Sequence, residues 1–142
     1  MTTFDELLAK EKQKHSPRKH PKHLESRLQG ACVRWFRYQY PKFLIFAIPN
    51  GGRRNEIEAK IMKDEGVLPG VADLEILLPD GRCVFIEMKT LKGRLSEHQL
   101  KFQRWCFENK HVYLVCKTFE QFVESVKLLV DGRLDKTTSE DA

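Results

Sequence analysis

The sequence predicts a single α/β domain with a mixed central sheet of about four strands flanked by helices. Three observations predict it. Short apolar runs of strand length alternate with longer segments whose apolar residues recur every three or four positions, which is typical of interleaved strands and helices. Two of the runs are joined by a tight turn, which places a hairpin in the sheet. The chain has 142 residues, enough for one domain with a core and too few for two ordinary ones.

Charge and cysteine content narrow the class of protein. The formal net charge of +5 favours polyanionic partners such as nucleic acid, although an excess of this size is also common on soluble proteins. The first fifteen residues, MTTFDELLAKEKQKH, contain neither a signal-peptide pattern nor a membrane span. The four cysteines form no CxxC pair and stand in apolar contexts, which predicts buried, reduced thiols. We therefore expect a cytoplasmic protein with no membrane segment.

Residues 1–20 form a basic N-terminal segment that we expect to be flexible. A short amphipathic run is followed by a stretch rich in Lys and Arg and broken by Pro17 and Pro21. Its cations either contact phosphate or belong to a solvated arm. Three histidines stand in or near this segment, but their spacing matches no zinc motif: His15, His20 and His23.

A helix is predicted from about Pro21 to Tyr40, because proline suits a first-turn position where its missing N–H is not needed. Apolar residues at three- and four-residue steps mark its core-facing stripe: Leu24, Leu28, Ala31 and Trp35. Glu25 lies beside this stripe, where a carboxylate needs a partner. It is either an edge residue paired with Arg or Lys, or it points into an active site.

A strand is predicted over Phe43–Ile48, a continuous apolar run that indicates cover on both faces. The turn sequence PNGG follows at residues 49–52. Arg53 and Arg54 come directly after the turn. They are ordinary surface charges or, because they flank the strands described next, contacts for phosphate.

Three further helices begin at capping signals. Each has a residue that can accept a backbone N–H, followed three positions later by Glu or Gln: Asn55 with Glu58, Ser96 with Gln99, and Thr118 with Gln121. These helices are expected to end near Glu65, Asn109 and Asp131, and a strand, His111–Cys116, separates the last two. The domain therefore spans residues 21–131, and the polar tail 132–142 is expected to be disordered.

The central feature is the segment Gly70–Lys89, which reads as two strands joined by the turn sequence LPDGR. Side chains alternate between the two faces of a strand. One face of the hairpin then carries three carboxylates, Asp73, Glu75 and Glu87, and the amine of Lys89. Cys83 and Phe85 lie on the same face. Either this face is solvated and its carboxylates pair with Lys89, or it is largely buried and its charges have a function.

The second alternative indicates metal chemistry. Carboxylate oxygens suit Mg²⁺ or Mn²⁺, which bind through a few acidic side chains and keep positions open for water and phosphate. A lysine beside the metal can align the attacking water and stabilise charge on phosphate. Asp73, Glu87 and Lys89 are therefore the candidate catalytic residues.

The same residues carry a family resemblance. Asp73, a strand and then Glu87-Met88-Lys89 resemble the PD-(D/E)xK nuclease signature, a pattern that also arises by chance. The surroundings extend the resemblance to the VRR-NUC family, including its small stand-alone phage and bacterial members. The matching residues are Asn50-Gly51-Gly52, Lys60, Lys63, Gly66, Pro69-Gly70-Val71-Ala72-Asp73 and Ile86-Glu87-Met88-Lys89. Ala72 replaces the proline of the older signature, at a position that varies in the family.

The resemblance implies a restriction-endonuclease-like fold and a set of roles. Asp73, Glu87 and the backbone carbonyl of Met88 would be ligands of Mg²⁺ or Mn²⁺, and Lys89 the catalytic lysine. Glu25 matches the extra helical glutamate of such nucleases, as a further metal ligand. Gln99 matches a glutamine in the helix after the ExK strand, and its rival role is as the capping partner of Ser96.

The expected function is a metal-dependent DNA endonuclease that selects branched DNA, with a four-way Holliday junction as the favoured substrate. A homodimer would match the two-fold symmetry of a junction. The cations that flank the catalytic strands are the expected DNA contacts: Arg53, Arg54, Lys92 and Arg94. The apolar residues available for a dimer interface could equally be core: Phe43, Phe46, Trp105 and Phe107. The location would be the host cytoplasm if a phage encodes the chain.

Two alternatives stay open. The chain is a nucleic-acid-binding module of this fold without catalysis, or it is the nuclease subunit of a repair or restriction complex. Cleavage in the presence of metal separates the first alternative from an enzyme.

Overall fold

The computed structural model describes residues 21–49 and 55–131. The segment 1–20, predicted to be flexible, the tail 132–142, predicted to be disordered, and most of the PNGG turn lie outside the described residues, and so do Arg53 and Arg54. Among the described residues, no helix is long and apolar enough to cross a membrane.

Within residues 21–49 and 55–131, four helices and four strands follow one another in the predicted order. They are α1 (Pro21–Gln39), β1 (Leu44–Ala47), α2 (Glu56–Asp64), β2 (Leu74–Leu77), β3 (Cys83–Met88), α3 (Glu97–Glu108), β4 (Val112–Cys116) and α4 (Phe119–Val130). The three capping signals are confirmed, because the side chains of Asn55, Ser96 and Thr118 each accept the backbone N–H three residues on. These caps satisfy backbone N–H groups that the first helical turn leaves without partners.

The sheet is mixed, as the sequence predicts, with strand order β1-β2-β3-β4. The pairs β1–β2 and β2–β3 are antiparallel, while β3 and β4 are parallel. The parallel pair is possible because α3 forms the crossover between its strands, and the antiparallel β2–β3 pair needs only a tight turn. Gly81 in that turn has φ 91°, a conformation that glycine adopts without a steric penalty.

One face of the sheet carries the hydrophobic core. Alternate residues of β2 and β3 are buried there against α1 and α4: Leu74, Ile76, Val84, Ile86 and Met88. Phe36 of α1 and Phe122 of α4 are fully buried in the same cluster. All four cysteines, which lie within the described residues, are free thiols, and three of them are buried. The prediction of buried, unpaired thiols is therefore correct for Cys32, Cys106 and Cys116, while Cys83 is half-buried.

The prediction for the first strand is wrong in one respect. The run Phe43–Ile48 does form β1, but it is not covered on both faces, since Leu44 is 61% exposed and Phe46 is 38% exposed. The strand order explains this result, because β1 stands at the edge of the sheet and buries only Ile45 of its four residues. The helix that follows β1 is also peripheral, since none of the described α2 residues is buried.

Candidate active site

Asp73 is fixed at the start of the hairpin by two backbone contacts. Its carbonyl oxygen accepts the N–H of Ile48 at 2.8 Å, which extends the β1–β2 pairing by one residue. Its carboxylate oxygen Oδ2 accepts the N–H of Met88 at 2.8 Å. The second bond joins the two strands of the hairpin, so Asp73 is held beside the end of β3, where Glu87 and Lys89 lie.

Glu87 is the one buried charged residue of the described chain, with 1% of its surface exposed. Its oxygen Oε1 accepts a hydrogen bond from Gln99 Nε2 at 2.8 Å and lies 3.6 Å from Lys89 Nζ. Its other oxygen, Oε2, is buried and has no hydrogen-bond partner among the described residues. A buried acceptor without a partner costs about 1–3 kcal/mol or more. The carboxylate is therefore half satisfied by the protein.

Lys89 lies next to this carboxylate with its side chain 13% exposed. Its backbone N–H donates to Cys116 O at 3.0 Å, which continues the parallel β3–β4 pairing past the end of β3. Glu87 and Lys89 are two residues apart, so they face the same side of the sheet. The ammonium thus lies at the opening of the site and the carboxylate lies beneath it.

Gln99 makes two sets of contacts, one at the start of α3 and one to Glu87. Its backbone N–H donates to Ser96 Oγ at 3.3 Å, and its side-chain Oε1 accepts the N–H of Ser96 at 2.8 Å, which completes a capping box. The other end of the same amide donates to Glu87 Oε1. One side chain therefore starts α3 and ties it to the buried carboxylate.

Gly70 lets α3 come this close to the hairpin. It has φ 89°, and a Cβ at this position would collide with the backbone carbonyl of His98 in the first turn of α3. Any side chain at Gly70 would push the helix start away, and with it Gln99. In the sequence, Gly70 belongs to the residues that carry the family resemblance, and no separate role is predicted for it. The signal available was a Pro-Gly pair three residues before Asp73.

Burial and charge both act on Glu87. Burial raises the pKa of its carboxyl group, and the neighbouring Asp73 carboxylate raises it further, while Lys89 opposes both effects, so the pKa lies at about 8. A second positive charge near the pair would favour the ionised form of both carboxylates.

Tyr113 of β4 is a neighbour of the site that the sequence analysis missed. It is paired in register with Phe85, so it faces the same side of the sheet as Glu87. Its hydroxyl is buried with no hydrogen-bond partner in the described chain. Burial raises the pKa of Tyr113, and the charges of Glu87 and Asp73 raise it further. The position could have been found by strand alternation in HVYLVC once β4 was placed beside β3.

The remaining acid of this face is already paired. Glu75 Oε1 accepts a hydrogen bond from Cys83 Sγ at 2.7 Å. Burial and this neighbouring carboxylate raise the pKa of the Cys83 thiol to about 12, so it stays protonated and keeps donating. Glu75 is thus paired with a thiol, whereas the carboxylates of Asp73 and Glu87 lie near each other.

The roles of the other predicted site residues are untested. Glu25 is half-buried on α1, and within residues 21–49 and 55–131 no three His, Cys, Asp or Glu side chains are grouped so as to hold a metal ion. Its role as a metal ligand stays a prediction, as does that of the Met88 carbonyl. Lys92 and Arg94 are exposed on the loop between β3 and α3, next to Lys89 in the chain.

Comparison with known structures identifies the fold. A VRR_NUC domain is 21% identical and matches 72% of this chain and 94% of its own length, with a TM-score of 0.52. A VRR_NUC domain protein is 18% identical and matches 75% of this chain and 88% of its own, with a TM-score of 0.60. No family model matches the sequence, and no curated protein matches it significantly. The α/β fold predicted from the sequence is therefore confirmed as the fold of VRR_NUC domains.

Proposed function

We propose that this protein is a nuclease of the VRR-NUC type, which hydrolyses DNA phosphodiester bonds with the help of a divalent metal ion. The observation that carries the proposal is the buried Glu87 carboxylate beside Asp73 and Lys89, one of whose oxygens has no partner among the described residues. The shared fold of two VRR_NUC structures supports it. A merely structural site would not leave a buried acceptor unsatisfied next to a second carboxylate.

The residues present fit Mg²⁺ or Mn²⁺. Glu87 Oε2 is free to become a ligand because Gln99 and Lys89 occupy the other oxygen. Asp73 uses Oδ2 for the N–H of Met88, which leaves Oδ1 for the same ion. The Met88 carbonyl and Glu25 are the further ligands that we propose. When bound, the ion would polarise the phosphate and lower the pKa of a coordinated water.

The side chains then have separate tasks in hydrolysis. Lys89 aligns the attacking water and stabilises the negative charge that builds up on the phosphate oxygens. Gln99 holds the Glu87 carboxylate in one orientation, and the N–H of Met88 does the same for Asp73. The water oxygen forms a bond to phosphorus, one P–O ester bond breaks, the water gives up its proton to solvent and the leaving oxygen takes one up.

The substrate that we propose is branched DNA, with a four-way junction as the favoured form. Arg53, Arg54, Lys92 and Arg94 would contact its phosphates, which confers affinity without sequence specificity. A homodimer would present two sites to a two-fold symmetric junction. Of the four residues considered for the interface, Phe43 packs against the core, while Phe46, Trp105 and Phe107 are exposed.

The test is cleavage of labelled four-way junction, flap and linear duplex in Mg²⁺, Mn²⁺ or EDTA. We expect cleavage in either metal, with symmetric paired nicks in the junction, and none in EDTA. Asp73→Ala, Glu87→Ala and Lys89→Ala should each lower the rate by at least about a hundredfold, because each removes a preorganised charge. Glu75→Gln is the matched control: it lies on the same face, is paired with Cys83 and should keep full activity.

Several results would count against the proposal. If no substrate is cut in either metal, the nuclease assignment fails, and binding without cleavage would favour the non-catalytic module. If the three alanine variants stay active, the hydrolysis occurs elsewhere. If activity requires a second protein, the chain is the nuclease subunit of a complex.

A further inference from the structure

A cleft of about 410 Å³ lies beside α3, outside the residues assigned to catalysis. One wall consists of α3 residues a turn apart, the other of the start of β4. Its lining comprises Leu100, Gln103, Arg104, Phe107, His111 and Tyr113. Its volume is in the range of small-ligand pockets, roughly 300–1,000 Å³.

The cleft is lined by apolar, amide and cationic side chains. Phe107 is 84% exposed and Leu100 is half exposed, so both offer apolar surface to an occupant. Arg104 adds a cation, and Gln103 adds an amide that can donate and accept. A flat ligand with polar edges and a negative charge matches this combination, and a nucleotide has all three properties.

The walls of the cleft are already ordered. His111 stacks on Trp105 with a centroid distance of 5.4 Å and an interplanar angle of 12°. Phe102 contacts the rings of Phe85 and Tyr113 edge-on, at 5.3 and 5.8 Å. A ligand would therefore enter a preformed site and lose little affinity to the ordering of side chains.

Tyr113 connects the cleft that it lines with the catalytic carboxylates. Its hydroxyl is buried, and no described residue accepts or donates a hydrogen bond to it. Because Glu87 and Asp73 raise the pKa of Tyr113, the hydroxyl also lies within electrostatic reach of the catalytic carboxylates.

The same helix, α3, contributes to both the cleft and the catalytic site. Gln99, in the first turn of α3, contacts Glu87, and Leu100 to Phe107 follow directly. Eight residues of helix span about 12 Å. Three to four stacked nucleotides cover about the same distance, at roughly 3.4 Å each. A strand whose phosphate lies at Glu87 can thus reach Phe107 with a nucleotide a few positions away.

We propose that this cleft binds an unpaired nucleotide of the substrate strand, a few positions from the phosphate that is cut. The base stacks on Phe107, its edge reaches Gln103, and its phosphate contacts Arg104. The inference rests on the proposed nuclease function and distinguishes between its branched substrates, because a flap carries unpaired bases next to a duplex and a fully paired four-way junction does not.

The experiment measures DNA binding in EDTA, so that it does not depend on cleavage. The probes are a blunt duplex and the same duplex with a single-stranded tail that carries 2-aminopurine. We expect the wild-type protein to bind the tailed duplex more tightly and to quench the 2-aminopurine. Phe107→Ala should weaken tailed-duplex binding by about tenfold and abolish the quenching, because stacking on an aromatic ring is lost. Binding of the blunt duplex should change by less than about twofold.

Three variants sharpen the test. Arg104→Ala should weaken tailed-duplex binding and lower the salt dependence by about one phosphate contact. Lys101→Ala is its control, a cation on the same helix that does not line the cleft. Gln103→Ala should keep the quenching but weaken binding by a few-fold, because only a hydrogen bond to the base edge is removed.

Clear outcomes would overturn the inference. Equal loss of blunt and tailed binding, or no loss from Phe107→Ala and Arg104→Ala, would show that no nucleotide occupies the cleft. If the two variants instead turn a dimer into a monomer in sedimentation, the surface joins two subunits. Failure of the nuclease proposal is separate, since it would be seen as absent cleavage in metal even where Phe107 determines binding.

Discussion

The two faces of the β2–β3 hairpin are built from alternate residues of the same short segments and differ in almost every other property. One face is apolar and is closed by α1 and α4. The other faces α3 alone and carries the acids, Lys89 and both of the buried, unpartnered side-chain oxygens found in the described residues. Stability is therefore concentrated on one face and chemistry on the other. The two should respond separately to mutation.

The largest expected effect is on stability, from the apolar face. Phe122 is fully buried and packs edge-on against Trp35, with 6.0 Å between ring centroids. Phe122→Ala should lower the free energy of unfolding by about 3–5 kcal/mol, since it removes a large side chain and leaves a cavity. Denaturant titration measures the loss. Phe107→Ala, on the α3 side, should cost less than about 0.5 kcal/mol, and equal losses would contradict the division between the faces.

A smaller effect separates the two roles of Gln99. Gln99→Ala removes the capping contact and the hydrogen bond to Glu87, so it should cost about 1 kcal/mol of stability and lower the cleavage rate by about tenfold or more. Ser96→Ala removes the cap but leaves the side chain of Gln99 free to contact Glu87. It should cost similar stability with little loss of rate. Equal rates for the two variants would show that the amide acts only as a cap.

A further expected effect is a pH dependence of stability in the metal-free protein. The pKa of Glu87 is raised from 4.5 to about 8, chiefly by burial and by Asp73. Between these values the folded state binds more protons than the unfolded state, so stability falls as the pH rises from about 4.5 to 8. Glu87→Gln should flatten this slope, while Glu75→Gln should keep it. Thermal unfolding in EDTA at several pH values measures it, and an equal slope in all three proteins would exclude Glu87 as its source.

The sequence predicts this division well where it depends on local rules. Alternation along the strands places Asp73, Glu87 and Lys89 on one face, and capping residues locate the starts of α2, α3 and α4. The double role of Gln99 and the positions of Gly70 and Tyr113 depend on which helix covers which face. That arrangement arises from contacts distant in the chain, which local patterns do not encode.

The prediction that β1 is covered on both faces is wrong for the same reason, because local patterns do not encode the order of the strands. An unbroken apolar run is compatible with a strand in the centre of a sheet and with one at its edge, and only the strand order separates the two. Here β1 pairs on one side with β2, and Leu44 and Phe46 are exposed. Glu87 is the converse case. Alternation along β3 predicts on which face of the sheet its side chain lies, whereas the contact with α3 determines how deeply it is buried.

Calorimetric titration with Mn²⁺ tests most directly the central claim that the polar face of the hairpin, which carries Asp73, Glu87 and Lys89, binds a metal ion. We predict that the wild-type protein and Glu75→Gln bind Mn²⁺ and gain thermal stability from it, because the ion binds the folded site. Asp73→Asn and Glu87→Gln should lose both the binding and the gain while staying folded. If all four proteins bind Mn²⁺ equally, or if none does, the polar face is not a metal site and the account is wrong.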